Sequence, residues 1–207
     1  MVKSRSSLIK FVRKRRELGK YLSFKRDYLN SVLSGRKRST IRLGIVTPRN
    51  SRVYLECNGK IYGELYIEST EYVKFSELTE KDAVRDGFNS LEELKDALKN
   101  IYTNLSGEDW VTIIHFRLIE KYVKPVERSE IEKGIEGVSY TEVARLGLAY
   151  STYSSSTERR VLTAVAYAGD IDTALEKLSE DISHRRVFGI LKKTFKKLVK
   201  MGVLRSS

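Results

Sequence analysis

The eleven residues Ser34-Gly35-Arg36-Lys37-Arg38-Ser39-Thr40-Ile41-Arg42-Leu43-Gly44 carry four cations, three hydroxyls and two glycines. The run before them, Tyr28-Leu29-Asn30-Ser31-Val32-Leu33, has the apolar pattern of one short helix ending at Gly35, and Thr40-Ile41-Arg42-Leu43 has the pattern of a strand. The chain therefore passes from helix to strand through a basic turn. A helix that stops at a glycine and turns this way can aim backbone N–H groups and cations at an anion. Lys37 and Thr40 lie three residues apart, close enough for an amine to act on a hydroxyl. Pattern alone favours a basic surface turn closed by a glycine cap.

Around this turn the chain reads as β-rich. Tyr21 to Lys25 alternates as a first strand, residues 27–34 form the helix, and Ile41 to Val46 a second strand. Val53–Cys57 and Ile61–Glu68 are strands joined by the hairpin pair Asn58-Gly59, and Tyr72–Phe75 is a further short strand. Helices are expected at 80–85 and 91–101, the second opened by Ser90 with Glu93 completing a capping box. Trp110 to Glu120 is the last strand. Residues 1–19 read as a basic arm or helix with a narrow apolar stripe, ended by Gly19. After Lys124-Pro125 the pattern turns helical, with candidates at 127–135, 139–149, 158–168, 171–179 and 184–201 and a stub strand at Val203-Leu204-Arg205. The expected class is α+β: a basic segment 1–19, a small β-barrel over 20–122 and an all-α domain over 126–207.

A chain of 207 residues suits two domains, and 41% hydrophobic residues suffice for cores. No apolar run approaches the roughly 20 residues that span a bilayer, and the basic N-terminus lacks the apolar region of a secretory signal. Cys57 is alone, so no disulfide framework forms within the chain, which fits a reducing cytoplasm. Cys57, His115 and His184 are scattered; neither a metal site nor a cofactor is expected.

The net charge is +12 and is concentrated at the two ends. Residues 1–16 carry Lys3, Arg5, Lys10, Arg13, Lys14, Arg15 and Arg16 without an acid. Residues 185–205 carry Arg185, Arg186, Lys192, Lys193, Lys196, Lys197, Lys200 and Arg205, again without an acid. On the last helix Val187, Ile190, Leu191, Phe195, Leu198 and Val199 make one face and the lysines the other. Basic ends around an acidic middle point to a nucleic-acid partner, although a solvated lysine face on a helical bundle gives the same pattern. The three last helices loosely resemble a winged-helix or helix-turn-helix unit. Tyr62, Tyr66, Tyr72 and Tyr102 are candidate stacking surfaces for bases, or ordinary strand packing.

Three ordered blocks resemble the ASCH domain, a small barrel of the PUA-like superfamily. The first is the Gly35-Arg36-Lys37…Thr40-Ile41-Arg42 turn. The second is Leu78-Thr79-Glu80-Lys81-Asp82-Ala83-Val84-Arg85-Asp86-Gly87-Phe88 with Ser90-Leu91-Glu92-Glu93-Leu94, and the third is the strand Val111–Phe116. Together they cover about residues 20–120. The resemblance implies two chemistries. Some small bacterial members are amidohydrolases acting on N4-acetylcytidine, which implies Lys37 as the lysine, Thr40 as the nucleophile and Asp86 at the position of the catalytic glutamate. Asp86 is one methylene shorter than that glutamate. Other members are described as RNA-cleaving.

The expected function is binding of structured RNA, of tRNA or ribosomal type, in the cytoplasm, with RNA favoured over DNA, a ribonucleoprotein particle as a candidate setting, and no membrane. Arg36, Lys37, Arg38, Thr40 and Arg42 would contact a nucleotide or phosphate, and the basic arm and last helix would hold the backbone. The alternatives are an ASCH-type hydrolase (amidohydrolase or ribonuclease) and a DNA-binding regulator whose ASCH domain senses a ligand.

Overall fold

The computed structural model of the chain describes residues 15–179 and 182–205. Arg13, Lys14 and the arm before them lie outside the described residues. The fold is mixed α+β and divides between Pro125 and Val126 into a sheet-rich unit and a helical one.

The first unit holds strands β1 (Arg15–Leu18), β2 (Tyr21–Ser23), β3 (Ser39–Leu43), β4 (Ile45–Pro48), β5 (Arg52–Cys57), β6 (Lys60–Lys74) and β7 (Trp110–Glu127). Helix α1 (Arg26–Leu33) lies between β2 and β3, and α2 (Glu80–Asp86) and α3 (Leu91–Ile101) between β6 and β7. Asn58 and Gly59 both have positive φ (51° and 77°), as the tight β5–β6 hairpin requires. Ser90 caps α3, its hydroxyl accepting from the Glu93 amide at 3.1 Å, while the Glu93 carboxylate accepts from the Asn89 amide at 2.9 Å.

Residues 15–18 are not helical: β1 pairs in parallel with β4, from Arg15 opposite Ile45 to Leu18 opposite Pro48. The ladder satisfies this backbone, and Leu18 alone of the four is partly buried, against the inner core. The barrel also does not close. Five strands run in the order β2-β5-β6-β7-β3, and β1-β4 form a separate pair. The continuous strand expected over 41–46 breaks at Gly44, where φ is +81°. At that break a side chain replaces the ladder: Thr112 donates to the Gly44 carbonyl at 2.6 Å and accepts from the Val46 amide at 2.9 Å. The edges β2 and β3 are joined by no ladder, and the Arg42 guanidinium bridges them instead, donating to the Ser23 carbonyl at 2.7 Å.

Strand β7 separates two cores by simple alternation. Ile114 and Phe116 face the inner core with Leu22, Phe24, Leu55 and Leu65. Val111 and Ile113 face α2 and α3, packing with Ile41, Leu78, Ala83 and Leu94.

The second unit holds α4 (Arg128–Lys133), α5 (Tyr140–Ala149), α6 (Ser156–Ala168), α7 (Ile171–Glu176) and α8 (His184–Lys200). Ser139, Ser155, Asp170 and Ser183 each cap the helix that follows by accepting a backbone amide. Val143, Leu162, Val165, Leu191 and Leu198 are among the residues of its core. Val203–Arg205 form no strand. The Val203 amide turns back to the Leu198 carbonyl at 2.9 Å behind Gly202, whose φ is +72°, so this segment closes α8.

Gly147 lets α5 pack close against Thr194 of α8. A Cβ there would stand 2.5 Å from the Thr194 methyl and 3.2 Å from the Thr152 hydroxyl. Alanine has the higher helix propensity by about 1 kcal/mol, but overpacking typically costs about 1–3 kcal/mol. We expect Gly147→Ala to lower stability in denaturant unfolding and added Thr194→Ser, which deletes that methyl, to restore it. A Gly147→Ala protein more stable than the parent would show that the contact relaxes freely.

Candidate functional site

The gap between β2 and β3 is a cleft of about 380 Å³. Its walls come from β1 (Arg16, Leu18), β2 (Tyr21, Leu22, Ser23), β3 (Thr40, Arg42), α1 (Tyr28), the α2 end (Asp86, Phe88) and α3 (Leu98, Tyr102), with Phe24 and Lys37 between elements. It is thus both aromatic and cationic, and it opens where the sheet fails to close.

The basic turn is fixed from both ends. The Lys37 amide donates to the Ser31 carbonyl at 3.0 Å, the Arg38 amide to the Arg85 carbonyl at 2.8 Å, and the Phe116 amide to the Arg38 carbonyl at 2.9 Å. Gly35, at φ +72°, turns the chain out of α1. Gly87, at φ +93°, ends α2, and a Cβ there would meet the Lys37 Cβ at 3.4 Å. A glycine therefore lets the end of α2 approach the lysine stem.

Lys37 is only 3% exposed and Asp86 4%. The Lys37 ammonium pairs with Asp86 Oδ1 and also donates to the Asp86 carbonyl at 2.6 Å. It lies over two rings, with its nitrogen 5.0 Å from the Tyr28 centroid and 5.7 Å from that of Phe88. Asp86 Oδ2 is buried without a hydrogen bond of good geometry, although the Ile41 backbone amide helps favour the charged carboxylate. Burial lowers the Lys37 pKa and raises that of Asp86, and the attraction between the two opposes both shifts. Arg42 adds slightly to the lowering at Lys37. Burial, then the Asp86 charge, raises the pKa of the Tyr28 phenol.

Thr40, also buried, accepts a hydrogen bond from Arg42 Nη1 at 2.9 Å, and no hydrogen bond links its hydroxyl to Lys37. The Arg42 guanidinium stands 5.7 Å from the Phe24 ring centroid. The structure thus brings Lys37, Thr40, Arg42 and Asp86 to one cleft, in two bonded pairs.

Other residues singled out in the sequence lie elsewhere. Arg36 and Arg38 are exposed on the outside of the turn, engaged with Ser34 and the Gly35 carbonyl, and do not line the cleft. Arg16 lines its rim and is exposed, as is Arg15 on the same strand. Of the four tyrosines, Tyr102 lines the cleft, while Tyr66 stacks on Arg117 and Tyr72 bonds Thr70. His115 pairs with Glu71 at 2.9 Å. Among the described residues no group of His, Cys, Asp and Glu could hold a metal ion.

Tyr21, Phe24, Tyr28 and Phe88 are also cleft walls, which the sequence pattern does not single out. Phe88 sits next to Gly87, just after the acid, and Tyr28 is on the helix that feeds the turn. Their nearness to the basic turn was the available signal.

On α8, Arg185, Arg186, Lys192, Lys193, Lys196 and Lys200 are exposed and Lys197 is half-buried. Lys193 pairs with Glu158 at 2.7 Å, Lys192 with Glu130 at 3.6 Å, and Lys197 donates to the Thr152 carbonyl and to Ser154.

The family model of the ASCH domain matches residues 20–120. Among solved structures, the chain is similar to an ASCH domain from Lactobacillus crispatus JV V101, at 16% identity and a TM-score of 0.43, over 57% of this chain and 87% of that one. It is also similar to ASCH from Zymomonas mobilis, at 18% identity and a TM-score of 0.42, over 58% of this chain and 78% of that one. No curated protein matches the chain. Residues 20–120 thus match the ASCH domain, a PUA-like family associated with RNA binding.

Removing one partner of the buried pair leaves the other charge uncompensated, at a cost of about 3–5 kcal/mol. We expect Asp86→Ala to lose about that much in denaturant unfolding. The double variant Lys37→Met with Asp86→Leu should recover most of it, since two apolar groups replace the pair. An Asp86→Ala protein as stable as the parent would mean that the lysine reaches water.

Proposed function

We propose that the chain binds structured RNA, with one unpaired nucleotide entering the ASCH cleft and the basic surface of the chain holding the backbone. The observation that carries this reading is the make-up of the cleft, in which aromatic rings and cations share one opening. Tyr28, Phe88 and Tyr102, each half-buried at the cleft, offer ring surface for a base. Arg42 and the rim residue Arg16 offer charge for a phosphate. Asp86 Oδ2, buried at the cleft wall without a hydrogen bond of good geometry, offers an acceptor to an N–H donor on the ligand. The net charge of +12 favours an anionic polymer over a small neutral ligand. The single cysteine, Cys57, is buried and free, in keeping with a cytoplasmic setting.

A second reading is hydrolysis, with Lys37, Thr40 and Asp86 as its residues. In its favour, all three border the same cleft. Against it, the Lys37 amine is committed to Asp86 and the Thr40 oxygen to Arg42, so no base is bonded to the threonine hydroxyl.

For the C-terminal unit we favour a helical backbone-binding role over a sequence-reading winged helix. The α7–α8 pair with its Ser183 cap supports a helix-turn-helix likeness. Among the described residues of the unit, however, the only β pairing is the Ile135–Val138 bridge. Residues 126–207 contain no Asn or Gln to read base edges.

The test is binding of a fluorescent RNA stem-loop by the full chain across a salt series, followed by a denaturing gel. We expect affinity to fall steeply with salt and the RNA to stay intact. Phe88→Leu, which keeps apolar bulk but removes the ring, should weaken binding by about 1–3 kcal/mol, the worth of one base stack. Shortened RNA that stays intact with Thr40→Ala protein would establish the hydrolytic reading instead. Binding insensitive to salt and to Phe88→Leu would end the cleft proposal.

A further inference from the structure

We infer that the exposed face of α8 is a track for the phosphates of a paired RNA stem, distinct in task from the cleft that takes an unpaired nucleotide. The inference rests on the RNA-binding reading and deepens it by naming paired RNA as what α8 holds.

Arg185, Arg186, Lys192, Lys193, Lys196 and Lys200 follow one another along the exposed side of the helix at spacings of one to six residues. From Arg185 to Lys200 this line of cations is about 22 Å long at 1.5 Å per residue. A shallow groove of about 420 Å³ lies over its part from 189 to 200, lined by Gly189, Lys192, Lys193, Lys196, Lys197 and Lys200. Gly189 lies in the middle of the helix with φ in the ordinary range, and a Cβ there would meet nothing within 4 Å. No turn and no packing contact requires glycine at this position, and glycine is a poor residue inside a helix. Its effect is to leave the floor of the groove open, so that a ligand's backbone can come close to the helix.

The chemistry of the face selects the paired state. Proteins that hold unpaired strands combine cations with aromatic faces on which bases stack. The exposed face of α8 has no aromatic residue: Phe188 is half-buried against Tyr140, at 5.1 Å between ring centroids, and Phe195 is in the core. It also has no Asn, Gln, Asp or Glu, which leaves Arg185 and Arg186 at its N-terminal end as its candidates for base-edge contact. What remains is a row of point charges, suited to phosphates whose bases are turned inward in a double helix. Three of the lysines are held in place from within the unit, Lys192 by Glu130, Lys193 by Glu158 and Lys197 by Thr152 and Ser154. Among the described residues, Lys196 and Lys200 have no ion-pair partner and are the amines open to a ligand.

The test uses the full chain, the double variant Lys196→Glu with Lys200→Glu, and three probes: an RNA stem-loop, the unpaired loop sequence alone, and a DNA duplex of the stem sequence. The parent protein should bind the stem-loop more tightly than the loop alone. The double variant should lose at least about tenfold in stem-loop affinity and show a shallower salt dependence, by about one unit of slope for each phosphate it no longer neutralises. Its affinity for the loop alone should fall much less than its stem-loop affinity, and its circular dichroism spectrum should match the parent's, which reports that it is folded. Unchanged stem-loop affinity, an equal loss for both RNA probes, or a preference of the parent for the DNA duplex would each overturn the inference. The first two leave the cleft reading standing. A parent protein that binds none of the RNA probes would overturn that reading as well.

Discussion

The buried ion pair between Lys37 and Asp86 organises the first unit. It ties the basic turn after α1 to the end of α2, two segments 49 residues apart in sequence. A lysine and an aspartate removed from water are costly unless they meet each other and their surroundings complete their contacts. Here the surroundings do so for the lysine, through the Asp86 carbonyl and the faces of Tyr28 and Phe88. They do so only in part for the acid, whose Oδ2 has no hydrogen bond of good geometry beside the cleft. The turn, the end of α2 and the aromatic walls therefore share one anchor, and the residual unmet acceptor sits where a ligand would arrive.

The unclosed sheet is the second constraint. A ladder between β2 and β3 would seal this side of the domain. Arg42 spans the gap with a side chain instead, bonded to Ser23 on one edge and Thr40 on the other. A guanidinium can hold two edges apart at a distance a backbone ladder cannot, and it still presents charge to the opening. The cleft is in this sense a consequence of where the hydrogen bonding of the sheet ends. The second unit is held together differently. Its helices are capped one by one and packed on an apolar core, and its charge lies on the outer face of α8. The two units thus present different chemistry: aromatic with buried charge in one, and solvated charge in the other.

Local signals in the sequence carry much of the architecture. The Asn58-Gly59 turn, the caps at Ser90, Asp170 and Ser183, and the two-faced pattern of α8 each depend on a few neighbouring residues, so each is legible in the sequence itself. The Lys37–Thr40–Asp86 grouping is legible through the family resemblance. Other features are not, because they depend on partners distant in sequence. Residues 15–18 form a strand only because β4 is there to pair with, and nothing in Arg-Arg-Glu-Leu announces it. Tyr72–Phe75, taken alone, suggests a separate short strand, whereas Tyr72 to Lys74 continue β6 and Phe75 begins a short 3₁₀ turn. The burial of Lys37 runs against the habit of its residue type. The separation of Arg36 and Arg38 from the cleft follows from the direction of the turn, which composition does not encode.

The central claim is that a nucleotide of RNA occupies the cleft between β2 and β3. Photo-crosslinking tests it most directly: an RNA stem-loop carrying 4-thiouridine at an unpaired position is irradiated with the full chain, and the adduct is mapped by mass spectrometry. The account predicts adducts on the cleft aromatics, Tyr28, Phe88 or Tyr102. Adducts confined to α8 or to the outer faces of the sheet, with the cleft unmodified, would contradict it.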